Sequence, residues 1–293
     1  MGKEAGEKDR YELERFALEI RRETIKELHS LGAGHIGGCM SMVELLAVLY
    51  GGILRVDAQN PGWEERDRLI VSKGHAGPAV YAALSLRGFF PLEKLDTLNR
   101  PGTDLPSHMD AQKTPGVDMT TGSLGQGVSA GVGIALASRM AGKDVRVYII
   151  AGDGECQEGQ VWEAVLFAAA HKLDNLILLV DRNHYQLDGN TDDVLALGSL
   201  EEKLRAFGWN VFSVRDGHNV EQVYLALSEA KGRKDGIPTA IVLDTVKGEG
   251  YPAAGRGPNH HMIMTDEDFE EAMRELGEEK RRLDAGRADG CMR

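Results

Sequence analysis

Cysteine is scarce in this chain of 293 residues, and positive charge falls short of negative. The three cysteines, Cys39, Cys156 and Cys291, have no metal-ligand spacing and cannot make an even disulfide set. They read as reduced thiols of a cytoplasmic protein. Lysine and arginine total 34 against 46 aspartates and glutamates, a formal net charge of −12. That balance disfavours nucleic acid and anionic membrane as partners, because both need clustered basic surface. It does not exclude a phosphorylated substrate, since a local basic pocket or a metal can neutralise phosphate. No apolar run approaches the roughly 20 residues of a membrane helix. The charged start MGKEAGEKDRYELERF lacks the apolar core of a signal peptide. No internal repeat or low-complexity segment is visible.

What is present suits a globular α/β domain: 42% hydrophobic and 27% charged residues. The organising stretch is 145–185. Residues 145–151 and 176–180 are short, uncharged and rich in β-branched side chains, as parallel strands buried on both faces are. Between them, 160–171 has helical periodicity, with Val161, Val165, Ala168 and Ala169 on one side. Strand, helix and strand form a βαβ unit. Gly152, Asp153, Gly154 and Glu155 follow the first strand, and Asn183 follows the second. In an open α/β sheet such loops lie side by side at the carboxyl edge, where ligands bind. A carboxylate, an amide oxygen and a nearby carbonyl suit Mg²⁺. A lone Gly-Asp-Gly also makes plain turns.

The flanking chain continues the alternation. An amphipathic helix is expected over 11–31. In GAGHIGGCMSMVELL, glycines bracket His35, and Ser41 with Glu44 has the pattern of a capping box opening a helix at Met42. Residues 67–72 read as a strand that turns through Lys73-Gly74-His75-Ala76 into a helix ending at Leu86. The Pro-, Gly- and Asp-rich stretch 91–118, which holds His108, is too long for a simple connector. Small residues after Gly122-Ser123-Leu124 predict a closely packed helix. Two more strands, 209–214 and 238–243, enclose a helix over 220–231, so the sheet stays parallel. A glycine-rich segment, 245–261, ends in His260-His261, and a charged helix covers 266–283. The fold class is therefore α/β, a doubly wound, mostly parallel sheet with helices on both faces. One domain spans 11–283, with flexible ends at 1–10 and 284–293.

Gly-Asp-Gly at this spacing, with Asn183 after the second strand, resembles the thiamine diphosphate motif. Gly-His35-x-Gly-Gly, Ser72-x-Gly-His75-Ala and Pro-Ser-His108 resemble the histidine motifs of transketolases. The likeness covers roughly residues 10–280 but only that family's first domain.

The resemblance implies thiamine diphosphate and Mg²⁺ as cofactors, with Ca²⁺ or Mn²⁺ able to substitute. Asp153, Asn183 and the Tyr185 carbonyl would hold the metal. His75, Gly122, Ser123, Leu124, Gly152, Asp153, Gly154, Glu155 and Asn183 would contact the cofactor. His35, His75, His108 and His261 would serve catalysis, with His261 preferred over His260. Glu158 and Glu163 would lie at an interface between two active sites; as plain residues they are acids at a helix start. The implied activity is transfer of a two-carbon ketol unit from a ketose, such as a sugar phosphate, to an aldose. The implied partner is a C-terminal transketolase subunit supplying the pyrimidine-binding domain and an activating glutamate, in an α2β2 assembly.

Rival readings are the alpha subunit of a 2-oxo acid dehydrogenase, a fragment of a deoxyxylulose phosphate synthase, or a non-catalytic module keeping the fold. The first lacks the glycine-flanked His35 and the Ser72-to-His75 pattern. The last would be expected to lose some of Asp153, Asn183, His35, His75 and His108. Dinucleotide binding needs a glycine-rich turn straight after a strand, and Gly125 and Gly127 follow none.

Overall fold

A five-stranded, wholly parallel sheet carries the chain, and the strand order sets where the functional loops meet. The computed structural model describes residues 7–290, with side chains over 10–287. The strands are β1 (Arg68–Val71), β2 (Val147–Gly152), β3 (Leu176–Arg182), β4 (Asn210–Val214) and β5 (Thr239–Asp244). Their order across the sheet is β1-β2-β3-β5-β4. The register pairs Gly152 with Asp181, so the β2 and β3 ends lie side by side.

Alternation along each strand divides the core in two. Tyr148, Ile150, Ile177 and Leu179 face one cluster; Val147, Ile149, Leu176, Leu178 and Val180 face the other. The first cluster packs beneath α1 (Glu7–Leu31), α2 (Ile36–Met40), α3 (Val43–Val48), α4 (Gly77–Leu86), α7 (Val220–Gly232) and α8 (Asp266–Gly290). The second packs beneath α5 (Gln126–Met140) and α6 (Gly159–Ala170). Helices thus cover both faces, as the uncharged strand sequences require.

Three expectations need correction. Ser41 and Glu44 form no capping box. Met42, the residue before α3, makes no side-chain cap. Ser41 Oγ turns inward to Asp181 Oδ2 at 2.7 Å, and Glu44 pairs with Arg21 and His218. Burial outweighs local capping here, because both side chains have charged partners within the core. The terminal helix also continues past residue 283 to Gly290. Tyr11 holds Asp284 by a 2.8 Å hydrogen bond, so this end has a partner on α1. At the other end, α1 begins at Glu7, inside the stretch expected to fray. The rest of the expected flexible ends, 1–6 and 291–293, lies outside the described residues.

The glycine-rich segment after β5 folds back over the site. It makes a 3₁₀ turn at Pro252–Arg256 and ends in a short antiparallel pair, Met262–Ile263 against Ala33–Gly34. Cys39 and Cys156 are buried free thiols; Cys291 lies outside the described residues.

Candidate active site

At the carboxyl edge of β2 and β3 a cleft of about 230 Å³ opens. Its lining includes Gly38, Lys73, His75, Asp153, Asn183 and Lys247. Asp153 follows the first strand of the βαβ unit. Its Oδ1 accepts from Gly154 N at 2.9 Å, and Oδ2 accepts from His184 N at 2.8 Å and Thr191 Oγ1 at 3.1 Å. Burial, and then the charge of Asp181, push its carboxyl above the usual aspartate range. Both act against its ionised form.

The loop after β3 supplies the other oxygens. His184 is in a left-handed conformation, φ 66°, which is uncommon for a residue with a Cβ. Its ring is tied to Asp244 at 2.8 Å. This kink presents the Tyr185 carbonyl to Lys247 Nζ at 3.3 Å. Asn183 Oδ1 accepts from Tyr185 N at 3.2 Å. One carboxylate, one amide oxygen and one carbonyl, with an ammonium drawn onto that carbonyl, form an oxygen-only set suited to a hard cation. Among the described residues no cluster of three His, Cys, Asp or Glu could cage a metal alone.

Five histidines converge beside this edge. The His35 ring centroid lies 5.4 Å from His75, 5.7 Å from His108, 5.2 Å from His260 and 4.8 Å from His261. His75 also meets His260 at 5.1 Å. Both members of the terminal pair thus reach the cluster, and His260 adds a 3.2 Å contact to Lys247 Nζ. The sequence reading preferred His261 over His260, and the structure brings both rings to His35. Burial, then the neighbouring rings, lower His35 to about 4. Burial, then Lys247, lower His260 to about 4. His75 also falls well below the ordinary value, through burial and then Lys73. These three rings are neutral at pH 7, each with one donor and one acceptor nitrogen.

Two glycines make the convergence feasible. A Cβ on Gly37 would lie 2.3 Å from the Asn259 carbonyl oxygen, which accepts from Gly37 N at 3.0 Å. A Cβ on Gly74 would lie 2.6 Å from the Thr121 backbone. Only glycine allows these backbones to touch.

The other expected residues divide. Leu124, Gly152, Gly154 and Glu158 line the cleft. Gly122 packs on the His108 ring, and Ser123 is exposed. Glu163 is exposed on α6, outside the cleft lining. Glu155 lines the cleft, yet both its oxygens are engaged by the chain: Oε1 accepts from Ser72 Oγ and from Gly125 N at 2.7 Å, Oε2 from Gly152 N at 3.1 Å. It fastens three site segments together.

Sequence reasoning missed Lys73, Asp181 and Lys247. The available signals were a lysine inside the Ser-x-Gly-His pattern and an aspartate closing the apolar run of β3.

Residues 14–284 match the family described as transketolase, thiamine diphosphate binding domain. The chain belongs to the transketolase family. It is 51% identical over 269 residues to the 6-deoxy-6-sulfo-D-fructose transketolase subunit SqwG of Clostridium sp. (strain MSTE9), covering 92% of this chain and 97% of that one. It is 38% identical to an apulose-4-phosphate transketolase subunit of Actinobacillus succinogenes, covering 92% and 97%. The solved transketolase of Leishmania mexicana superposes with a TM-score of 0.85 at 30% identity, over 90% of this chain and 41% of that one. This transketolase chain thus spans less than half of that solved structure and nearly all of the separate subunits. It is the amino-terminal, thiamine diphosphate-binding kind of subunit, and its enzyme class is transketolase-type transferase.

Proposed function

We propose that this chain, joined to a carboxyl-terminal partner, transfers a two-carbon ketol unit from an anionic ketose to an aldose, in an α2β2 assembly in the cytoplasm. Among the described residues no helix is long and apolar enough to cross a membrane. The partner would supply the pyrimidine-binding domain and the activating glutamate. The observation that carries this reading is the meeting of the Asp153, Asn183 and Tyr185 oxygens with the five-histidine cluster at one sheet edge. Two similar subunits are named for a sulfonated and a phosphorylated ketose, which supports an anionic ketose as donor.

Asp153, the Asn183 amide oxygen and the Tyr185 carbonyl would hold Mg²⁺, and His75, Lys247 and His260 would face the diphosphate. When bound, thiamine diphosphate supplies the nucleophilic carbon and the electron sink for the two-carbon unit. The chain's own part is binding and proton handling. His35 and His75 offer neutral imidazoles that can donate to one sugar oxygen while accepting from another. His108, at the exposed side of the cluster, would meet the outer part of the sugar. Glu158 and Glu163 would face the second active site across the assembly.

The test is calorimetric titration of thiamine diphosphate and Mg²⁺ into the chain alone and with its partner, beside a ketol-transfer assay. Tight Mg²⁺-dependent binding and activity are expected only in the mixture, and both are lost in Asp153→Ala. Full activity of the chain alone would overturn the two-subunit reading. A complex that binds no cofactor would leave the non-catalytic module as the better account.

A further inference from the structure

The acid closing β3 is neither a predicted metal ligand nor a member of the histidine cluster, yet it is the most heavily coordinated side chain of the site. Asp181 is 1% exposed. Its Oδ1 accepts from Thr245 Oγ1 at 2.5 Å. Its Oδ2 accepts from Lys73 Nζ, from Ser41 Oγ at 2.7 Å and from Asn183 Nδ2 at 3.0 Å. Lys73 is 2% exposed and also donates to the Gly38 carbonyl at 2.8 Å and to Ser41 Oγ at 3.2 Å. A buried ion pair of this kind is seldom retained for stability, because desolvation offsets its attraction.

Its geometry bears on Asn183. An amide side chain has one face that donates and one that accepts. An ionised carboxylate only accepts, so only the NH₂ of Asn183 can face Asp181. The donor on the opposite side, Tyr185 N, demands the oxygen there. Both neighbours impose the same orientation, and it leaves Oδ1 on the side of the Tyr185 loop. Lys73 supplies the compensating charge that a buried carboxylate requires. It also ties α2 at Gly38, against which His75 packs, to the end of β3.

We propose that the buried Lys73–Asp181 pair is the positioning element of the metal site, with Asp181 fixing the Asn183 amide so that its oxygen is presented to the cation. This rests on the functional reading above. Asp181 lies outside the cleft lining, behind Asn183, and Lys73 stands at the cleft wall. The pair acts through Asn183 and through the loops carrying His35 and His75.

Mn²⁺ is the probe, titrated by electron paramagnetic resonance into the complex of this chain and its partner with thiamine diphosphate present. Asp181→Ala removes the acceptor that Asn183 Nδ2 faces, and Mn²⁺ affinity is expected to fall by about 10- to 100-fold, as for other groups that orient a metal ligand. The double variant Asp181→Ala with Asn183→Asp is expected to recover most of that loss. Both oxygens of a carboxylate at 183 accept, so no neighbour is needed to orient it, and Lys73 keeps an anion nearby. A purely structural role would not predict recovery. Unchanged Mn²⁺ affinity in Asp181→Ala overturns the proposal. Lost affinity without recovery in an assembled double variant overturns it too. If Asp181→Ala does not assemble, Lys73→Met carries the test: reduced affinity is expected, and unchanged affinity overturns the proposal. Wild-type complex that binds no Mn²⁺ would overturn the functional reading itself, and this inference with it.

Discussion

At the residue scale, two buried glutamates on the first-cluster side of the sheet show how much a partner matters. Glu44 lies between Arg21 and His218. Burial alone would raise its pKa, but Arg21 and then His218 outweigh burial and hold it below the ordinary value. Glu27 on α1 is fully buried, and among the described residues neither of its oxygens has a partner. Burial, and then the charge of Glu23, push its carboxyl well above the usual range. A carboxyl raised in the folded state binds its proton more tightly there than in the unfolded chain. The stability it contributes is present below the unfolded pKa and is lost as pH rises through the folded one. Glu27→Met should therefore stabilise the protein at pH 8, by roughly 1–3 kcal/mol. The gain should shrink toward pH 5. Thermal unfolding at both pH values checks this, and a pH-independent difference would refute the assignment.

At the element scale, α2 matters more for where it docks than for its own stability. It is short, and no side chain caps its start. It is held by Gly37, whose N–H and carbonyl meet Asn259 O at 3.0 Å and Gly248 N at 3.1 Å. A methyl group at Gly37 would force the segment carrying Lys247 and His260 away from the cluster. Gly37→Ala should cost about 1–3 kcal/mol, as overpacking does, and should weaken cofactor binding in the assembled enzyme. Gly133→Ala on α5 is the control: nothing lies within 4 Å of the added methyl. That change should stabilise by roughly 0.5–1 kcal/mol through helix propensity. Unfolding curves and cofactor calorimetry on both variants distinguish a docking role from a general effect of adding a methyl group.

At the scale of the whole molecule, apolar side chains remain exposed at the cleft and along α6. Leu187 and Tyr185 line the cleft yet are 68% and 51% exposed, and α6 exposes Leu166 at 58% and Phe167 at 42%. Glu163 shares that helix. Exposed apolar side chains of this size suit burial by another subunit. Leu166→Glu should weaken assembly measured by analytical ultracentrifugation, while the melting temperature of the chain alone stays within about a degree, because an exposed side chain adds little to stability. Unaltered assembly would place the interface elsewhere.

Local patterning determined much of this protein. Uncharged β-branched runs, helical spacing between them and glycines at the strand ends were sufficient to predict all five strands and the βαβ unit, with Asp153 and Asn183 just past two strand ends, whereas His35, His75 and His108 were singled out by their resemblance to transketolase motifs. These features depend on neighbours within a few residues, where period and turn chemistry act. Tertiary structure decided what required distant partners. Lys73 and Asp181 are separated by 108 residues in sequence, and they pair only because α2, β1 and β3 end at one edge. Ser41 and Glu44 have the sequence of a helix cap, yet Asp181 claims the first and Arg21 with His218 the second. Glu155 has the position of a ligand contact, yet it closes on Ser72 and Gly125. His260 and His261 are indistinguishable by spacing, and the fold-back of the glycine-rich segment brings both to His35. Periodicity reports which face of an element is buried. Which polar groups meet across that burial follows from the sheet order, because desolvated donors and acceptors take whatever partner the packing brings within reach.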